Sequence, residues 1–200
     1  MRKARSSRAK DSIIEKASYF ATSTGLSGLT IGQLASELKM SKSGLFAHFG
    51  SKENLQNAIL NHIEKLFKRH VIIPCLREPK GKKRVLKLFD LLIDWIGNKK
   101  GHNGCLYVTA SFEFAEMNPK DNIRKRIIEI QNKFNKFIIV LIDEAIQNKE
   151  FKVNISSIDF TYDLWSIMLG FHHRQKLLKD PNSQKHAYRS FNLLLKQFEK

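Results

Sequence analysis

Apolar residues recur at intervals of three and four in segment after segment of this chain, with almost no Gly-punctuated hairpin signals between them, so the pattern predicts an all-α fold of about nine helices. The first helix is expected from about residue 8 to 23, with Ile13, Ala17, Phe20 and Ala21 on one face and an end near Gly25. Thr30 with Gln33 three residues on has the form of a capping box, and Ile31, Leu34, Ala35 and Leu38 give the stripe of a short second helix. Ser41 is placed to cap a third short helix that turns Leu45 and Phe49 inward. Gly50 then closes it and Ser51 caps a fourth, which carries Leu55, Ile59, Ile63 and Leu66 and is expected to fade before Pro74.

Beyond a loop around Pro79, Val85, Leu88, Phe89, Leu92, Trp95 and Ile96 form the inner side of a fifth helix, and Gly97, Gly101 and Gly104 mark a break. The stretch GCLYVTASFEFAEM fits two templates. Val108, Ala110, Phe112 and Phe114 alternate as in a strand, while Leu106, Ala110, Glu113 and Met117 fall at helical spacing; a lone strand would have no partner, so a helix is expected. After Pro119, apolar residues at 123, 127, 130, 134, 137 and 141 describe a heptad-like seam on a long helix reaching about Gln147. Two more helices are expected near residues 156–178 and 185–199, parted by the turn at Asp180, Pro181 and Asn182.

Charge changes the picture from fold to partner. Lys and Arg number 35 against 19 Asp and Glu, a formal net charge of +16, of the sign that phosphate backbones and anionic membrane surfaces attract. The excess leans toward the first half: residues 1–52 hold nine Lys or Arg against three acids, and Arg2, Lys3, Arg5, Arg8 and Lys10 precede the first acid. Such an arm is either a minor-groove or phosphate-tracking tail or an ordinary solvated terminus. Cys75 and Cys105 show no CxxC or Cys/His ligand spacing and read as free thiols of a reducing cytoplasm, Cys105 as a buried small hydrophobe or a redox sensor. No signal-peptide core precedes them and no run approaches the roughly 18 apolar residues of a spanning helix, so a cytoplasmic protein is expected.

No Gly-rich phosphate loop, GxSxG or HExxH occurs, so neither an enzyme nor a cofactor is expected. His172 and His173 occupy adjacent helical positions pointing about 100° apart, which speaks against a shared metal. The basic arm and residues 120–136 are able to rest on a membrane surface, but that reading leaves the next motif unexplained.

Residues 30–49 describe two short helices joined by a turn at Lys39, Met40 and Ser41, with small Ala35 where they must approach. This is the pattern of a helix-turn-helix, or of a generic helical hairpin in a bundle. Ser43 and Gly44 are poor helix formers, Gly by about 1 kcal/mol relative to Ala, and close approach to DNA supplies a reason for them. His48 and Lys52 add donors on the exposed side, Lys52 in the first turn of a helix, where it opposes the dipole unless phosphate is near.

The segment TIGQLASELKMSKSGLFAHFGSKENL resembles the helix-turn-helix signature of the TetR family of bacterial transcriptional regulators, with the likeness covering roughly residues 8–60. The family's pattern of an aromatic, any residue, His-Phe, then Lys before Glu is met by Phe46, Ala47, His48, Phe49, Lys52 and Glu53. The resemblance implies phosphate contacts from Thr30, Lys42, His48 and Lys52, with base edges met from Ser41, Ser43, Gly44 and Ala47. The family usually has Tyr where this chain has Phe46, so a phosphate-bonding hydroxyl is missing and that contact becomes stacking or packing.

The same resemblance implies a DNA-binding domain over residues 1–50 and a helical ligand-binding and dimerisation domain over residues 51–200. It also implies a homodimer on palindromic operator DNA and a repressor released by a small-molecule effector; a ligand-independent binder or an activator is the alternative within the family, and a helical enzyme with an unrecognised site the alternative from another class. Trp95, Tyr107, Phe112, Phe114, Met117 and Trp165 are candidate pocket residues, with Glu113 and Glu116 able to line the cavity, or they are simply core. Leu164, Ile167, Met168 and Phe171, with Phe191, Leu194, Leu195 and Phe198, form stripes rich enough to be buried at a dimer interface that sets two recognition helices ~34 Å apart, or a multiple of that.

Overall fold

The computed structural model describes residues 2–97, 106–154 and 156–199, with side chains from residue 10 onward. Among these residues run α1 (Arg2–Thr24), α2 (Ile31–Glu37), α3 (Lys42–Phe49), α4 (Lys52–Phe67), α5 (Ile73–Leu76), α6 (Lys82–Gly97), α7 (Leu106–Ala115), α8 (Asn122–Gln147), α9 (Ser157–Lys176) and α10 (Ser183–Phe198). A π-helical turn, Lys68–Ile72, joins α4 to α5 without a break, so the described residues form the nine helical bodies the pattern predicts. Their one β feature is an isolated antiparallel bridge between Phe151 and Glu199. The ambiguous stretch after Gly104 is helical, as α7.

Three details depart from the periodicity. Helix α1 starts at Arg2 rather than near residue 8, because RKARSSRAK holds no breaker and is rich in the good helix formers Arg, Lys and Ala. The fourth helix does not fade before Pro74. Proline lacks an N–H and crowds the carbonyl four residues back; the π turn just ahead of it takes up that mismatch, and Pro74 then falls in the first turn of α5, where no N–H is needed. On α8 Ile123, Ile127, Ile130, Ile138, Leu141, Ile142 and Ala145 are buried and Phe134 and Phe137 half-buried, and the row 123, 127, 130, 134, 138, 141 and 145 advances by 4, 3, 4, 4, 3 and 4. The period of that row is nearer 3.67 than the 3.5 of a heptad seam, and Ile138 is buried beside the half-buried Phe137. Gly101, Gly104 and Cys105 lie outside the described residues.

By packing, the chain divides into two compact units, one of Met1–Phe67 with Asn103–Glu129 and one of Lys68–His102 with Ile130–Lys200. In the first, Leu26, Leu29, Leu34, Leu45, Leu55, Ile59, Leu60 and Ile63 make a buried aliphatic core. The Tyr107 hydroxyl donates to the Leu60 carbonyl at 3.0 Å, and the Arg126 guanidinium ties Glu64 at 2.7 Å and Glu129 at 3.0 Å.

The second unit is built on rings. Phe89 stacks on Phe191 with centroids 3.8 Å apart, and Phe160 meets Phe198 edge-on at 5.0 Å. Arg84 grips both carboxylate oxygens of Glu144, at 3.1 and 3.0 Å, with the two side chains only 13% and 15% exposed. This core also takes up the residues expected at the dimer interface. Leu164, Met168, Phe171, Phe191, Leu194, Leu195 and Phe198 are all buried within the single chain and Ile167 is half-buried, because α9 and α10 turn their apolar faces on each other and α6 covers α9. Those stripes belong to the protomer's own core. Periodicity shows that a face is buried; it does not show what buries it.

Candidate nucleic-acid interface

Helices α2 and α3 are seven and eight residues long, too short to persist on propensity alone, and their ends hold them. Thr30 has extended backbone (φ −118°, ψ 151°), and its hydroxyl oxygen accepts the Gln33 N–H at 3.1 Å. The reciprocal half of the capping box takes a different form, for the Thr30 hydroxyl itself donates to Gln33 Oε1 at 2.8 Å. Helix α2 ends with Lys39 in the left-handed region (φ 54°), where the Met40 N–H reaches back to the Ala35 carbonyl at 2.8 Å and the Lys39 N–H to Ser36 at 3.1 Å, the closing bonds of a Schellman turn. Ser41 then caps α3 by accepting the Gly44 N–H at 3.0 Å. Gly50 (φ 75°) ends α3, and Ser51 caps α4 through the Asn54 N–H at 3.0 Å.

Anchored by buried Leu45 and Phe49, α3 turns Ser41, Lys42, Ser43, Phe46 and Ala47 outward as one exposed row, with Gly44 and His48 half-buried at its edge. Thr30 and Lys52 are exposed as well. Phe46 is 50% exposed, a large apolar ring in water beside hydroxyls and a cation. The Lys42 stem passes over Gly32, where a Cβ would stand 3.2 Å from Lys42 Cε. Lys10, from the basic arm, sits over the Phe49 ring at 5.3 Å, a cation–π contact; the side chains of Arg2, Lys3, Arg5 and Arg8 lie outside the described residues. At Gly44 an added Cβ would meet Ser41 Oγ at 2.9 Å, so the glycine has a reason inside the chain, room for the cap, beside any reason outside it.

Three side chains that the sequence reading assigned elsewhere or passed over converge behind this row. Lys52 Nζ donates to the Ser27 carbonyl, Gln56 Nε2 donates to the Leu26 carbonyl at 2.8 Å, and Glu113 Oε2 accepts the Ser27 N–H at 2.7 Å. Gln56 offered one signal in advance, a polar residue beside Leu55 on the buried face of α4. Glu113 offered none, since its partner lies 86 residues away.

The descriptions of known families meet this geometry at two places. The model for "Bacterial regulatory proteins, tetR family" matches residues 13–59, which include the caps and the exposed α3 row, and the model for "Tetracyclin repressor-like, C-terminal domain" matches residues 81–191, more than half of the chain. The chain belongs to the TetR family. It is a transcriptional regulator by family and not an enzyme. Among solved structures, it is similar to a TetR transcriptional regulator from Chloroflexus aurantiacus, with a TM-score of 0.86 and 17% identity over 100% of both chains. It is also similar to AibR solved with isovaleryl coenzyme A and operator DNA, with a TM-score of 0.76 and 18% identity over 93% of this chain and 97% of that one. A third is a regulator from Saccharomonospora viridis in complex with choline, with a TM-score of 0.77 and 16% identity over 97% and 99% of the two chains. At these identities the likeness is one of fold. No curated protein matches the chain in sequence.

In this TetR-family chain the six candidate pocket residues are divided between the units. Trp95 and Trp165 belong to the second, and Tyr107, Phe112, Phe114 and Met117 to the first. Trp95, Tyr107 and Phe114 are buried, whereas Phe112 is 65% exposed and Met117 is exposed too. Trp165 is half-buried, its Nε1–H donating to Asn135 Oδ1 at 2.6 Å and its ring edge-on to Phe134 at 6.0 Å. Glu113 is engaged with the Ser27 backbone, and Glu116 faces solvent.

Burial shifts several titratable groups of the regulator's second unit, Cys75 and His172 among them. The Cys75 thiol, buried and donating to the Arg84 carbonyl at 3.4 Å, is pushed up to about 11, which makes it a core thiol rather than a reactive thiolate. Burial, then Lys176 and His173, holds the half-buried His172 imidazole below its usual range. Among the described residues no helix is long and apolar enough to cross a membrane.

Proposed function

We propose that this regulator binds a palindromic operator as a homodimer and is a repressor released by a small molecule, with residues 1–50 as its DNA-binding domain and residues 51–200 as its ligand-binding and dimerisation domain. The exposed α3 row carries the reading: a capped short helix, pinned from behind by Leu45 and Phe49, presents Ser41, Lys42, Ser43, Phe46 and Ala47, the mixture of hydroxyl, cation and methyl that reads groove edges. Thr30, Lys42, His48 and Lys52 take phosphates. Ser41, Ser43, Gly44 and Ala47 take base edges, and Phe46 packs where a hydroxyl would have bonded.

The outer faces of the last two helices support the dimer. Ile158, Tyr162, Ser166 and Gly170 form an exposed line on α9, Tyr162 being 73% exposed, and Leu193 is exposed on α10. An exposed patch of this kind is able to meet its own copy about a two-fold axis. The complexes of AibR with isovaleryl coenzyme A and of the Saccharomonospora viridis regulator with choline support ligand control. The surplus of Lys and Arg over acids in residues 101–200 favours a neutral or anionic apolar effector. Exposure of Phe112 and Met117 favours the second reading, a ligand-independent binder.

Genomic footprinting identifies the operator, and duplex titration at several salt concentrations tests the interface. Lys42→Ala and Lys52→Ala are each expected to weaken binding to all sequences alike and to flatten log K against log salt by about one unit. Unchanged slopes in both variants would remove the phosphate assignment. A monomer in sedimentation at micromolar concentration, or an operator without dyad symmetry, contradicts the dimer.

A further inference from the structure

The turn between α1 and α2 is tied from two other helices. Ser27 is gripped on both sides of its own backbone, its N–H by Glu113 of α7 at 2.7 Å and its carbonyl by Lys52 of α4. The preceding carbonyl, of Leu26, is held by the buried Gln56 amide of α4. Gly25 is needed there twice over: its φ is +81°, and a Cβ would stand 2.7 Å from Glu113 Oε1. Leu26 and Leu29 are fully buried on either side of Ser27. A backbone N–H given to a carboxylate is a charge-assisted bond, stronger than its neutral counterpart, and this one fixes the direction in which the chain leaves α1 for the DNA-reading pair α2 and α3.

We infer that Glu113 is a positioning residue for DNA recognition. From α7, outside the DNA-reading helices, its carboxylate holds Ser27 and so sets where α2 and α3 stand against α4. A shift of α7 is then passed to the recognition helix through one hydrogen bond. Lys52 still holds the Ser27 carbonyl when Glu113 is removed, so the phosphate contact proposed for it does not depend on the carboxylate. The inference rests on the operator binding proposed above.

The test compares wild type with Glu113→Ala, Glu113→Gln and Gly25→Ala, reading operator affinity, its salt dependence, and exchange of the Ser27 amide proton by NMR. Glu113→Ala is expected to weaken operator binding about tenfold and to speed Ser27 exchange. The salt slope should stay unchanged, since no phosphate contact is lost. Glu113→Gln keeps an acceptor oxygen and should bind within about threefold of wild type with Ser27 still protected. Gly25→Ala, which crowds the carboxylate and strains a backbone at φ +81°, should also lose both protection and affinity.

Should Glu113→Ala fail to fold, the Gln and Gly25 variants decide by the same two readouts. Native affinity in Glu113→Ala, a Ser27 amide that exchanges equally fast with and without Glu113, a reduced salt slope, or a Gln variant as weak as Ala each overturns the inference while leaving the operator reading intact. A wild-type chain that binds no duplex DNA removes both.

Discussion

The two units reach order by opposite means. In the second, long helices carry the fold: α9 and α10 span 20 and 16 residues, and a cluster of Phe89, Phe151, Phe160, Phe191 and Phe198 locks their faces together. In the first, the decisive helices are short, and what fixes them is the chemistry of their ends, with Thr30, Ser41, Gly50 and Ser51 as caps and Lys52, Gln56 and Glu113 as ties on one turn. Burial uses a helix face, whereas a cap uses only its end. Holding α3 largely by its ends is what leaves its outer face free to meet another molecule.

The largest expected effect breaks the ring side of that contrast. Phe160 is fully buried and touches Phe151, Phe191 and Phe198, so Phe160→Ala should cost ~3–5 kcal/mol in chemical denaturation. A loss below ~2 kcal/mol would mean that the rings are loosely packed and that the second unit does not depend on them. The salt slope of operator binding, measured on the folded fraction, should be that of wild type.

The same contrast explains what was legible in the sequence. Caps are local, so Thr30, Ser41, Gly50 and Ser51 could be placed from residue type and spacing, and the exposed row of α3 came with them. Burial was legible as well, but not its partner: the stripes on α9 and α10 are buried, and it is their own neighbours in the chain that bury them. The Glu113–Ser27 bond was invisible because no local pattern connects residues 86 apart. Lysines in the left-handed region at Lys39, Lys149 and Lys179 were missed for a different reason. Glycine is the usual residue after a helix, and nothing in the local pattern marks a lysine for that conformation.

A middle-sized effect sharpens the cap side. Ser41→Ala removes the acceptor of the Gly44 N–H and should cost ~1 kcal/mol, seen as faster exchange of the Gly44 amide. Ser41→Asp restores an acceptor and should recover that stability, while its negative charge, set beside the phosphate contact proposed for Lys42, should weaken operator binding. If Ser41→Ala leaves Gly44 exchange unchanged, α3 is held by its buried face alone and the contrast between the units fails.

The smallest stability effect is expected at Gly44, where two terms oppose each other. Replacing glycine by alanine inside a helix gains up to ~1 kcal/mol. Here, however, the new methyl would stand 2.9 Å from Ser41 Oγ, and Ser41 has only its one side-chain torsion with which to retreat, a movement that also surrenders the bond to the Gly44 N–H. The cap contributes about as much as the propensity gains, so Gly44→Ala should change stability by less than ~0.5 kcal/mol. A gain near 1 kcal/mol would show that the serine yields without losing its bond, leaving close approach to DNA as the glycine's reason. A loss above 1 kcal/mol would show that the cap alone explains it. Operator affinity separates the remaining cases: with stability unchanged, weakened binding assigns the bare Cα of Gly44 to the DNA contact, and native binding assigns it to Ser41.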